Sequence, residues 1–128
     1  MMSAPSGIPS VRTIAMPSDA NPNGDIFGGW IMSQMDLAGG TYAFAIAGGR
    51  VTTVAVDGMT FHRPVQIGDQ VSCYCTTERI GTTSIAVRVE TWVRRRDDQS
   101  EERVTEGLFT FVAIDSEGRP RAVERVAS

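Results

Sequence analysis

The stretch from Trp30 to Ala47 constrains the fold more than any other part of the chain. Ile31, Met35, Ala38 and Tyr42 fall at i, i+4, i+7 and i+11, the repeat of one helical face. Leu37, Phe44 and Ile46 lie on other faces, so the predicted helix is apolar nearly all round and has to be wrapped by something. One carboxylate, Asp36, sits in its middle. Aspartate lowers helix propensity and resists burial unless it is paired or used, which makes Asp36 the most conspicuous chemical group in the sequence. Gly39 and Gly40 each cost about 1 kcal/mol relative to Ala inside a helix, which points to close approach of another backbone or a ligand. The loop before the helix, Asn21 to Gly29, is dense in Asn, Pro, Gly and Asp, and Gly48-Gly49 is the expected stop.

The rest of the chain changes to period two. Strands are expected over Val11–Met16, Val51–His62, Gln70–Arg79, Thr83–Val93 and Val104–Ile114, with turns at Gly68-Asp69 and Gly81 and a charged loop from Arg94 to Glu102. The fourth is the cleanest: Ile85, Val87, Val89, Thr91 and Val93 alternate with Ser84, Arg88, Glu90 and Arg94. In the last, Phe109 and Phe111 share one face, with Leu108, Val112 and Ile114 on the other. Strand, apolar helix, then four strands on short connections predict an α+β domain: an antiparallel sheet wrapped around one long central helix. The domain is expected over residues 11–123, after a loose terminus at 1–10 and before a polar tail at 124–128. One sheet cannot cover both the helix and its own edges, so a homo-oligomer is expected.

At 128 residues the chain suits one domain. Its net charge of −3 argues against nonspecific nucleic-acid binding. Ser33, Gln34, Asp36 and Thr41 interrupt the longest apolar run, so no membrane span is expected. Met1 to Ser10 lacks the pattern of a secretory signal, and Cys73 and Cys75 are too close for a disulfide framework; a cytoplasmic protein is the default. The two cysteines read as buried structural thiols, and no Cys/His cluster provides a metal site.

Ser33 lacks a Gly-x-Ser-x-Gly elbow, and the sole histidine, His62, reads as a strand-end residue rather than its base. Asn21 to Gly29 lacks the Gly-Lys-Ser/Thr ending of a phosphate loop.

The run Asn21-Pro22-Asn23-Gly24-Asp25-Ile26-Phe27-Gly28-Gly29-Trp30-Ile31-Met32-Ser33-Gln34-Met35-Asp36 closely resembles the hot-dog-fold acyl-CoA thioesterases of the YciA and cytosolic acyl-CoA hydrolase type. Met16-Pro17-Ser18-Asp19, Thr53-Val54-Ala55-Val56, Phe61-His62-Arg63-Pro64 and Phe109-Thr110-Phe111-Val112-Ala113 extend the likeness over about Arg12 to Arg121. The resemblance implies hydrolysis of an acyl-CoA thioester to the free acid and CoA, with no cofactor required and CoA as part of the substrate. It implies Asp36 as the catalytic carboxylate, by activating water or attacking the acyl carbon. Asn21 would join the site from a neighbouring subunit, and backbone amides at Gly28 and Gly29 would polarise the thioester carbonyl. The assembly would be a dimer, or a hexamer built as a trimer of dimers. Free N–H groups at a helix start suit an oxyanion, and a carboxylate in an apolar cleft suits a general base. For CoA's phosphates the candidates are Arg63, Arg79 and Arg94 to Arg96, with Gly81, Thr82, Thr83 and Ser84 supplying backbone and hydroxyl donors. The rivals are an acyl-thioester hydratase or dehydratase, disfavoured by Phe27 where many such relatives carry His, and a noncatalytic acyl-CoA-binding module.

Overall fold

A computed structural model describes residues 3–123. It contains β1 (Val11–Ile14), a short 3-10 turn at Pro17–Asp19, α1 (Gly28–Ala47), β2 (Val51–Phe61), β3 (Gln70–Ile80), β4 (Ser84–Arg94) and β5 (Glu101–Ala113). All five strands form one antiparallel sheet in the order β1-β3-β4-β5-β2. The α+β architecture follows the expectation, with one difference in topology. β2 and β3 are consecutive but not neighbours, because β2 pairs with β5 at one edge while β3 pairs with β1 and β4. The connector at 62–69 crosses between them and is tied down along its length. Ile26 N–H donates to Val65 O, Gly68 N–H donates to Ala15 O, and Val65 is fully buried. Asp69, buried in the turn, accepts from Gln66 N–H at 2.8 Å and pairs with Arg95 at 2.6 Å.

β5 starts earlier than its apolar pattern suggests. The charged run is a loop only at 95–100, because Arg94 pairs with Glu101 and Arg95 with Glu102, cancelling charge where the two strands meet. Residues 3–10 lie along the sheet, with Ser10 N–H donating to Cys73 O and Ala4 N–H to Glu101. The segment 124–128, expected to be a polar tail, lies outside the described residues.

The helix packs one stripe against the sheet: Ile31, Met35, Ala38, Gly39, Ala43 and Ala47 are buried. Facing them are Val71 and Cys73 of β3, Ile85, Val87, Val89 and Val93 of β4, and Phe109 and Phe111 of β5. Burial on β5 and in the middle of β4 keeps the expected period of two, but Ala86 and Trp92 on the other face of β4 are buried as well. Gly39 is explained by an aromatic ring rather than a backbone or ligand: a Cβ there would lie 2.8 Å from Phe111 Cζ. Gly48 ends the helix in the left-handed region at φ 67°, its N–H donating to Phe44 O. The other side of the helix is uncovered within the chain, where Leu37 and Phe44 are 59% and 51% exposed. The adjoining edge strand β2 also displays Val54 and Val56, at 55% and 37%. Cys73 and Cys75 are free thiols, and burial pushes Cys73 up to about 11.

Candidate active site

Asp36 stands in the middle of α1 on the stripe that the sheet does not cover. Its Oδ1 accepts a hydrogen bond from the Thr53 hydroxyl on β2 at 2.6 Å. That contact spans helix and sheet, and it sits in an open cleft of about 430 Å³ lined by Asp36, Gly40, Phe44, Arg50, Thr53 and Phe111 together with Leu37, Thr41 and Val51. The lining mixes apolar Leu37, Phe44, Val51 and Phe111 with polar Asp36, Thr41, Arg50 and Thr53. Thr53 holds Oδ1, and no side chain among the described residues donates to Oδ2.

Asn21 is at the other end of the helix segment. Its Oδ1 accepts from Asn23 N–H at 2.9 Å and Asp25 N–H at 3.1 Å, while Asn21 N–H donates to Asp25 O at 2.7 Å. This is an Asx-type turn. It also fixes the amide, since an acceptor oxygen turned into the loop leaves both Nδ2 donors pointing away from it, with no partner among the described residues. Of the three polar loop residues, only Asn21 is held in this way: Asn23 and Asp25 supply the N–H groups it accepts.

Gly28 and Gly29 occupy the first two positions of α1 and are exposed. Trp30 and Ile31 N–H donate to Phe27 O, so the two glycine amides are the unpaired donors of the helix start. Open space surrounds Gly29, while a Cβ at Gly28 would rest 3.5 Å from the Phe61 ring. Eight residues separate Gly28 from Asp36, about 12 Å along the axis. Within one chain, Asn21, Gly28 and Gly29 therefore lie apart from the cleft that holds Asp36.

The residues considered for CoA lie at two ends of the sheet. Arg63 is exposed just beyond β2, where its N–H donates to Val104 O. Gly81 to Ser84 form the β3–β4 hairpin at the opposite end, beside the start of β2: Ala113, the partner of Val51, donates its N–H to Thr83 O. Gly81 N–H donates to Ser84 O, and Thr82 O accepts from Val123 N–H. Arg94 and Arg95 are committed to ion pairs. His62 sits on the outer face of the sheet, its Nε2 3.0 Å from Glu106. That hydrogen bond is the main reason the Glu106 carboxyl is held below its usual range. No cluster of three or more metal-ligating side chains occurs among the described residues, and no described helix is long and apolar enough to cross a membrane.

Sequence reasoning about the site did not include Thr53 or Arg50. Thr53 stands seventeen residues after Asp36 in an unremarkable β-branched run, and only the packing of β2 beside α1 joins them. Arg50 directly follows the Gly48-Gly49 helix stop, with no local pattern that marks it.

Residues 23–99 match the model of the thioesterase superfamily. The chain is similar to the acyl-CoA thioester hydrolase YciA of Escherichia coli, at 52% identity over 122 residues, 93% of this chain and 92% of the relative. It is also similar in structure to a hexameric thioesterase from Yersinia pestis, with a TM-score of 0.91 and 50% identity over 96% of this chain and 100% of the other. A hexameric hotdog fold thioesterase of Campylobacter jejuni gives 0.88 and 44%, over 92% and 91% of the two chains.

Proposed function

The chain belongs to the thioesterase superfamily, and we propose that it hydrolyses acyl-CoA thioesters to the free carboxylic acid and CoA, with Asp36 as the catalytic carboxylate. The observation that carries this reading is the Asp36 carboxylate, held at Oδ1 by Thr53, in an open cleft with apolar Leu37, Phe44, Val51 and Phe111 beside it. In the general-base form, Asp36 takes a proton from water as the oxygen attacks the carbonyl carbon. The tetrahedral oxyanion then collapses, the C–S bond breaks, and the thiolate recovers the proton. In the nucleophilic form, Asp36 attacks the carbonyl carbon, the C–S bond breaks to release the thiolate and leave a mixed anhydride, and water then hydrolyses the anhydride and gives up the proton that the thiolate takes. Both need donors for the oxyanion, and the unpaired Gly28 and Gly29 amides have the right chemistry.

Those amides lie about 12 Å along the helix from Asp36, so we place them, with Asn21, opposite Asp36 in the neighbouring subunit of a homo-oligomer. Exposed Leu37, Phe44, Val54 and Val56 flank the cleft and form the apolar surface that a second copy would bury. The similar thioesterases from Yersinia pestis and Campylobacter jejuni are hexameric; a hexamer made as a trimer of dimers suits a shared site of this kind. Carboxylate and amide donors supply the base and the oxyanion stabilisation, so the reaction is proposed to need no cofactor. The two free thiols suit a reducing cytoplasm. Arg63 and the Gly81–Ser84 hairpin remain proposed CoA contacts; their separation within one chain requires that Arg63 act across the assembly.

The test is free-thiol release from a panel of acyl-CoAs, run with Asp36→Asn in parallel. Wild-type turnover with a loss of about a hundredfold or more in the mutant is expected. An active Asp36→Asn protein would refute the assignment. Mixed oligomers of Asp36→Ala and Asn21→Ala subunits should regain part of the activity, and none would be regained if the site were confined to one chain.

A further inference from the structure

Five of the twelve arginines, Arg88, Arg94, Arg95, Arg103 and Arg119, pair with carboxylates among the described residues. Two that do not are found together, where α1 gives way to β2. Arg121 donates to the carbonyls of Ala47 at 2.7 Å and Ile114 at 3.3 Å, which satisfy its N–H groups without cancelling its charge. Arg50 lines the cleft itself, is exposed, and its guanidinium meets no acceptor among the described residues. Asp115, which follows the Ile114 bonded to Arg50 O, uses Oδ1 to accept from Glu117 and Arg119 N–H in its own turn.

The cleft therefore has a carboxylate at one end and excess positive charge at the other. Asp36 and Phe44 are eight residues apart on the helix, about 12 Å, and Arg50 adjoins the Phe44 end with the reach of its own side chain. From the thioester sulfur to the first phosphorus of CoA there are roughly thirteen bonds, comparable to about four residues of extended backbone or about 14 Å. The lengths agree. The same end also carries the β3–β4 hairpin, because Ile114 N–H donates to Arg50 O and the adjacent Ala113 N–H donates to Thr83 O.

We propose that Arg50, in the positive field it shares with Arg121, is the phosphate anchor for CoA, and that the pantetheine arm lies along the Gly40–Phe44 wall between that anchor and Asp36. This rests on the thioesterase reading above and adds to it a specific binding residue. Arg50 is placed to grip a remote part of the substrate, so its contribution belongs to binding more than to the chemical step.

The discriminating experiment compares an acyl-CoA with the same acyl group on pantetheine, which has no phosphate, for wild type, Arg50→Ala, Arg50→Lys and Arg63→Ala. Arg50→Ala should raise KM for the acyl-CoA by about tenfold or more with kcat nearly unchanged, and should leave kcat/KM for the acyl-pantetheine at the wild-type value. Arg50→Lys should recover part of the loss, since it restores the charge without the bidentate fork. Equal losses on both thioesters would overturn the assignment. So would a preference for CoA that vanishes in Arg63→Ala and survives in Arg50→Ala, or a loss confined to acyl groups with a terminal carboxylate. A wild-type protein that hydrolyses neither thioester would instead remove the thioesterase reading on which the assignment stands.

Discussion

Adjacent glycines in α1 should respond in opposite directions to the same substitution. Replacing either Gly39 or Gly40 by Ala removes backbone freedom from the unfolded chain, and on helix propensity alone each change stabilises by about 1 kcal/mol. The surroundings then decide. A Cβ at Gly39 would lie 2.8 Å and 2.9 Å from Phe111 ring carbons, and that ring is only 1% exposed. Overpacking of this kind costs about 1–3 kcal/mol, so Gly39→Ala should come out neutral to about 2 kcal/mol destabilising. At Gly40 the closest atom is Phe111 Cε1 at 3.7 Å, ordinary contact, and the full gain of about 1 kcal/mol is expected. For a chain of this length that is a rise in Tm of about 3–5 °C. Thermal unfolding at one fixed protein concentration is the assay, since assembly makes Tm depend on concentration. Light scattering in parallel separates a change of assembly from a change of helix stability. If Gly39→Ala proved as stabilising as Gly40→Ala, the account of why this helix carries a glycine against Phe111 would be wrong.

Two further outcomes follow from buried groups. Asp69→Ala leaves Arg95 without its innermost carboxylate and Gln66 N–H without an acceptor; denaturant titration should show a loss of about 3 kcal/mol, and a loss below about 1 kcal/mol would mean the crossing turn does not depend on this pair. Cys73, with a thiol pushed from 9.0 up to about 11 mainly by burial, favours the neutral form when folded. Its contribution is complete below pH 9 and is lost as pH rises through about 11, because the unfolded thiol ionises first. Stability should fall across that window in wild type and fall less in Cys73→Ala; identical slopes would show that other groups govern alkaline unfolding.

The helix and all five strands were legible, most clearly where burial writes a period into the sequence, 3.6 on α1 and two on β4 and β5. Topology was not. Nothing in residues 62–69 announces that the chain crosses the sheet; Asp69 looks like any turn residue until Arg95 is seen beneath it. The Asn21–Asp36 run was readable as a motif, and the structure adds which atoms are free: Nδ2 of Asn21, the amides of Gly28 and Gly29, and one oxygen of Asp36. Thr53 and Arg50 escaped notice for a physical reason. Each meets the cleft through packing of β2 beside α1, and neither has a local pattern that depends on it.

Around the cleft, charge placement separates the structural arginines from Arg50. A helix C-terminus carries partial negative charge on its last carbonyls and favours a nearby cation, so Arg121, bonded to Ala47 O, has a structural reason to be there. The Asp69–Arg95–Glu102 cluster has another, because it closes the crossing turn against the β4–β5 hairpin. Arg50 has neither. The carboxylate in its own cleft, Asp36, is bonded to Thr53 instead. A cation kept unpaired beside a second cation is stabilised when an anion arrives from outside. A thioester whose leaving group carries phosphates about one cleft length from its sulfur is an anion of that description.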